Sequence, residues 1–261
     1  MIAQWLASAN EWIIFAGLLV AFVVAAEIGF QLAARRKSPP DEASATQAVT
    51  VQAAVLGLLA LLLGFTFAMA VSRFDAREQL VTDEANAIGT ALDRSQFLPA
   101  PRRDDAIRLL RSYVDTRIEF HEASARRDLL LDVAAKTNQI QRALWSDARA
   151  AADADPHSVT LGLYIASLNA MSDTAGRQLA AVRNRVPFGI FAVLVFVAGV
   201  AVAFTGYGPG VAEKRNLRET LLVSILIATV VMLIVDLDRP TTGIVRISPD
   251  GLLDLKAAMN R

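Results

Sequence analysis

Four long apolar runs, at roughly 12–34, 49–72, 187–207 and 219–236, constrain this chain more than any other feature. The chain carries 26 lysines and arginines, and every one of them falls outside these runs. A helix rises about 1.5 Å per residue, so about 20 residues cross the roughly 30 Å of a bilayer's hydrocarbon. A water-soluble core would instead mix charges along its amphipathic helices. With 54% hydrophobic and only 20% charged residues, against about a quarter charged in ordinary soluble domains, the chain reads as an integral membrane protein.

The flanks of the runs set their ends. Trp5 and Trp12 stand where interfacial anchors belong. Arg35, Arg36 and Lys37 follow the first run rather than precede it, which argues against a cleaved leader. Pro187 suits the first turn of the third span. Gly206-Tyr207-Gly208-Pro209-Gly210 reads as the turn that ends it. The expected fold is all-α, with four transmembrane helices arranged as two hairpins. The expected domains are 1–72 for the first hairpin, 73–186 for an extramembrane insert, 187–236 for the second hairpin and 237–261 for a C-terminal segment.

The insert holds 16 basic and 16 acidic residues and shows helical spacing throughout. Ile107, Leu110, Val114 and Ile118 recur at three- and four-residue intervals, as do Leu161, Tyr164, Ile165 and Leu168. About four helical segments are expected, the first continuing out of span two. Near-membrane basic residues number six on the hairpin-loop side and seven on the other, so charge alone does not orient the chain.

Zero net charge removes the usual electrostatic case for nucleic acid. The absence of cysteine excludes disulfides and thiol catalysis. No nucleophile–base pair appears, so no enzyme, cofactor or metal site is expected. Asp83-Glu84-Ala85-Asn86 has oxygen ligands that suit a hard cation, but it reads better as a solvated helix face. His121 and His157 read as surface residues.

Span two carries two stripes. Ala60, Gly64, Ala68 and Ser72 form an unbroken small-xxx-small row, the surface by which helices approach closely in a bilayer. Gly57, Leu61 and Phe65 form a neighbouring row that either packs or lines a hydrophobic constriction able to gate by dewetting. Glu27 is an intramembrane charge, functional by default, although its nearness to Arg35 also permits snorkelling. Arg73, Asp75 and Arg77 leave span two, and Asp236, Asp238 and Arg239 close span four, so an ion-paired collar at one membrane face is expected.

Leu63-Gly64-Phe65 followed by Arg73 and Phe74 resembles the neck helix of bestrophin ion channels. The blocks from Arg73 to Arg77 and from Asp83 to Thr90, with Asp236-Leu237-Asp238-Arg239-Pro240 and Gly243, resemble more closely the bacterial bestrophin-like domain family. The resemblance covers about residues 50–258. It implies a homo-oligomeric, pentameric ion channel of the bacterial inner membrane, with both termini and the insert cytoplasmic and with small ions as the permeating partners. It places Gly57, Leu61 and Phe65 at the pore neck, where Gly57 lacks the branched apolar bulk of the family pattern. Arg239 interrupts the acidic run that calcium-gated relatives place after the fourth span, so no calcium site is assigned. The competing reading is a non-conducting membrane scaffold whose insert binds a partner.

Overall fold

A computed structural model describes residues 11–35, 42–123, 127–184, 186–211, 217–239 and 244–260. Trp5, Arg36, Lys37, Lys214, Arg215, Pro240 and Gly243 lie outside the described residues. Eight helices and no strand occur among the described residues: α1 (Glu11–Ala34), α2 (Glu42–Ser95), α3 (Arg102–Ala123), α4 (Arg127–Ala154), α5 (Val159–Arg183), α6 (Phe188–Val211), α7 (Leu217–Leu237) and α8 (Asp250–Met259). Four of them, α1, the first part of α2, α6 and α7, are long and apolar enough to cross a bilayer. Lipid offers no hydrogen bonds, so each span must satisfy its backbone internally, as a helix does. The protein is a multi-pass, all-helical membrane protein.

The chain divides into two compact units, 1–72 with 186–239, and 73–185 with 240–261. In the first, α1 and α6 pack backbone against backbone. A Cβ placed on Gly29 would collide with the carbonyl oxygen of Ala203, and one on Gly206 would collide with that of Ala26. Buried Ala26 and Ala33 on one helix and Ala198 and Ala201 on the other complete a small-residue contact. Hydrocarbon gives apolar side chains no reason to associate, so close van der Waals approach supplies the attraction. This finding corrects the reading of residues 206–210 as a turn. The helix runs on to Val211, and Gly206 is there because only a hydrogen fits against α1.

In the second unit, the extramembrane part of α2 joins α3, α4, α5 and α8 around one core. Ile88, Leu110, Tyr113, Leu144, Tyr164, Leu168, Met171 and Leu252 are buried in it. The spaced apolar residues of α3 and α5 supply much of this core, as the periodicity predicts. Ser158 caps α5 by accepting the Leu161 N–H at 3.3 Å. The short helix α8 brings residues 250–259 into this unit rather than leaving them apart. Gly251 lies where a Cβ would press on Ala85, Lys256 pairs with Asp115 at 2.7 Å, and Arg111 donates to the Met259 carbonyl at 2.7 Å.

Candidate functional site: the faces of α2

Helix α2 runs for 54 residues without a proline. Its two sides have opposite characters. Leu59, Thr66 and Ala70 in the membrane half and Arg77, Val81, Glu84, Ile88 and Ala91 beyond it are buried. At about 100° per residue these cluster on one side. Both stripes singled out in span two lie on the other. Gly57, Leu61 and Phe65 are exposed, Phe65 at 66%, and so are Ala60, Gly64, Ala68 and Ser72. A Cβ added to Gly57 or Gly64 would touch nothing within 4 Å. Within the protomer these glycines therefore serve no packing contact.

The remaining residues singled out in the sequence are distributed as follows. Glu27 is half-buried on α1 and accepts a hydrogen bond from Gln31 at 3.0 Å. Asp75 is exposed. Arg77, only 5% exposed, donates from Nε to the Ala181 carbonyl at 3.3 Å and from Nη2 to the Asn184 carbonyl at 3.0 Å. Arg73 reaches the Asn184 side-chain oxygen at 3.5 Å. These acceptors sit at the C-terminal end of α5, where helix carbonyls lack intrahelical partners and the dipole favours a cation. Asp236, Asp238 and Arg239 are all buried at the end of α7, and Asp238 accepts the Val186 N–H at 2.9 Å.

The strongest polar cluster lies at a position read from the sequence as solvated. Glu84 is fully buried and receives Arg117 Nε at 2.5 Å and Nη2 at 3.3 Å. Arg117 also donates to the side-chain oxygen of Gln178, and its guanidinium lies 4.0 Å from the centre of the Phe120 ring. Gln178 in turn donates to the Leu80 carbonyl at 2.9 Å. Burial pushes the Glu84 carboxyl above the usual range, while Arg117 pulls it down. His121 is also no surface residue: it is mostly buried, 4.0 Å from Glu84, and burial with the nearby Arg117 charge lowers its pKa to about 4. His157 is exposed, as expected. Position 84 is buried because α3 and α5 cover that side of α2, a fact no local window of sequence contains. The four-residue step from Arg117 to His121 was the available signal. No group of three metal-binding side chains occurs among the described residues.

Comparison with known proteins gives a consistent assignment. A family model described as the Bestrophin-like domain matches residues 14–252. No curated protein matches the sequence. Among solved structures, a point variant of a bacterial bestrophin homologue from Klebsiella pneumoniae aligns over 95% of this chain and 100% of its own, at 18% identity and a TM-score of 0.66. The same homologue phased with zinc aligns over 97% and 96%, at 17% identity and a TM-score of 0.63. A further membrane-protein variant aligns over 96% and 97%, at 14% identity and a TM-score of 0.69. At these identities the structural likeness speaks for the fold.

Proposed function

The chain belongs to the Bestrophin-like domain family, and from that premise we propose that it forms a homo-oligomeric ion channel in a bacterial inner membrane, with α2 around a shared pore. The observation that carries this reading is the bare face of α2. Gly57, Leu61, Gly64, Phe65, Ala68 and Ser72 are exposed on the side opposite Leu59, Thr66 and Ala70. In a ring of copies the small residues let neighbouring helices approach. Leu61 and Phe65 then form an apolar constriction that controls wetting. Gly57 contributes no bulk, so the neck is wider there. Five copies, both termini inside the cell and a cytoplasmic second unit are what the family resemblance implies.

Followed beyond the membrane half, the exposed side of α2 carries Asp75, Glu78, Thr82, Asn86 and Asp93 and no basic residue. Asp75, Asn86 and Asp93 fall within about 20° of Gly57 around the helix. A path along that side is electronegative and favours cations. The test is current through the purified protein in a planar bilayer under asymmetric KCl. Discrete currents reversing toward the potassium equilibrium potential, with larger leak in Phe65→Ala, are expected. Currents indifferent to Phe65→Ala would remove Phe65 from the neck.

One observation favours the scaffold reading. A half-open cavity of about 450 Å³ runs along α4, lined by Asn138, Gln141, Arg142, Trp145, Ser146 and Arg149. Silence from folded oligomer across pH and calcium would shift the function to that surface.

A further inference from the structure

Helix α4 is buried on one side, at Val133, Thr137, Leu144 and Ala148. On the other side Arg142, Ser146 and Arg149 are exposed and, with Asn138, Gln141 and Trp145, line the half-open cavity of about 450 Å³. That volume lies within the roughly 300–1,000 Å³ of small-molecule sites. Arg142 and Arg149 are seven residues apart, so they return to nearly the same side of the helix with a rise of about 10 Å between them. Trp145 stands three residues after the first and four before the second, a helical neighbour of both. Its ring is half-buried against the core that contains Leu144, which holds it as a fixed platform.

The positive charge at this cavity is uncompensated. Nearby cations of the same unit have acidic partners: Lys136 pairs with Glu119 at 3.1 Å, Arg102 with Asp147 at 3.6 Å and Arg108 with Asp105 at 2.8 Å. Arg142 and Arg149 form no hydrogen bond or ion pair among the described residues, and no carboxylate among those residues lines the cavity. A guanidinium offers only donors, in a fork that fits two phosphate oxygens at once. A phosphate monoester carries about −1.5 to −2 charges at pH 7, which the two arginines match. Gln141 donates from Nε2 to the Tyr113 hydroxyl at 3.2 Å, so its Oε1 remains as an acceptor. An acceptor beside an aromatic face suits a nucleobase, which stacks on such a face and carries amino groups at its edge. We propose that the cavity on α4 binds a nucleoside monophosphate. Arg142 and Arg149 hold the phosphate, and the base stacks on Trp145 with an amino group donating to Gln141. The site lies wholly within the second unit and does not rest on the channel reading.

The chain has three tryptophans, Trp5, Trp12 and Trp145, so Trp5→Phe with Trp12→Phe leaves Trp145 as the only indole of the full-length protein. Its emission, excited beyond the adenine absorption, is followed during titration with AMP, and a saturable change is expected. Adenosine and ribose 5-phosphate each lack one half of the contacts and should bind at least about tenfold more weakly. Arg142→Gln and Arg149→Gln should each weaken AMP by about tenfold or more. Lys136→Gln removes a cation that is already paired and lies outside the cavity, and should leave AMP binding unchanged. Equilibrium dialysis with radiolabelled AMP reads Trp145→Leu, which should weaken AMP about tenfold and leave ribose 5-phosphate unaltered. No saturable response to millimolar AMP overturns the site. So does ribose 5-phosphate or adenosine binding as tightly as AMP, or Lys136→Gln costing as much as the arginine variants. If one arginine variant does not fold, the other and the ligand series on the unmodified side chains decide. Current from a protein that does not bind AMP would refute this site and leave the channel reading standing, and AMP binding to a silent oligomer would do the reverse.

Discussion

Removing Glu84 is the sharpest perturbation available, because the carboxylate is fully buried and the guanidinium it holds is 2% exposed. In Glu84→Leu, Arg117 keeps its bond to Gln178 and its contact with Phe120 but loses both bonds to the carboxylate. Arginine cannot shed its proton to escape. An uncompensated buried charge costs about 3–5 kcal/mol. For a unit of this size that corresponds to a fall of about 10–18 °C in melting temperature. The double variant Glu84→Leu with Arg117→Met removes both charges and refills the space with apolar atoms. It is expected within about 1 kcal/mol of the original protein or above it. The assay heats purified oligomer in detergent and follows the surviving folded peak by tryptophan fluorescence on size exclusion. A single variant that melts within about 2 °C of the parent would refute the reasoning, since it would mean the pair is solvated. A double variant no better than the single would refute it equally, because non-additivity is what the argument requires.

Three further outcomes are expected. His121 has a folded-state pKa lowered from 6.5 to about 4, so it favours the folded state above the unfolded value. That contribution disappears as pH falls from 6.5 toward 4: the gap of 2.5 (6.5 − 4) amounts to about 3 kcal/mol. Melting curves of His121→Leu should lose this part of the acid sensitivity, and an unchanged pH profile would show that His121 does not supply it. Gly206→Ala forces a methyl group onto the Ala26 carbonyl and should destabilise the protein by about 1–3 kcal/mol, whereas Gly17→Ala, with open space around it, should be neutral; equal melting of the two would break the close-packing argument. Gly64→Leu places a branched side chain on the bare face of α2 and should dissociate the oligomer, so an unchanged elution volume by size exclusion would count against α2 as the assembly surface.

Much of the architecture was legible in the chain. Hydropathy located four spans, prolines 99 and 101 marked the break before α3, and three- and four-residue spacing in 107–118 and 161–168 found the core faces of α3 and α5. The continuation of span two into the extramembrane unit was legible too, because no proline or glycine-rich break follows Ser72. What escaped was every feature that depends on a neighbour. Gly206 sat in a run whose glycines and proline suggest a turn, yet it continues a helix. Glu84 sat between polar residues and read as solvated, yet it is the most enclosed charge described in its unit.

The physical division is between terms that add along the chain and terms that need two segments to meet. Transfer of apolar surface into lipid and the helix's internal hydrogen bonds are local sums, so sequence alone determined that this protein crosses a membrane, where it does so, and that it is helical. Whether a glycine meets a carbonyl, whether a carboxylate finds a guanidinium, and which side of α2 is covered depend on residues from 33 to 180 positions away. Those contacts exist only once the helices have packed, and the tertiary structure alone decided them: α1 against α6 at Gly29 and Gly206, Glu84 on Arg117, and one long face of α2 left bare.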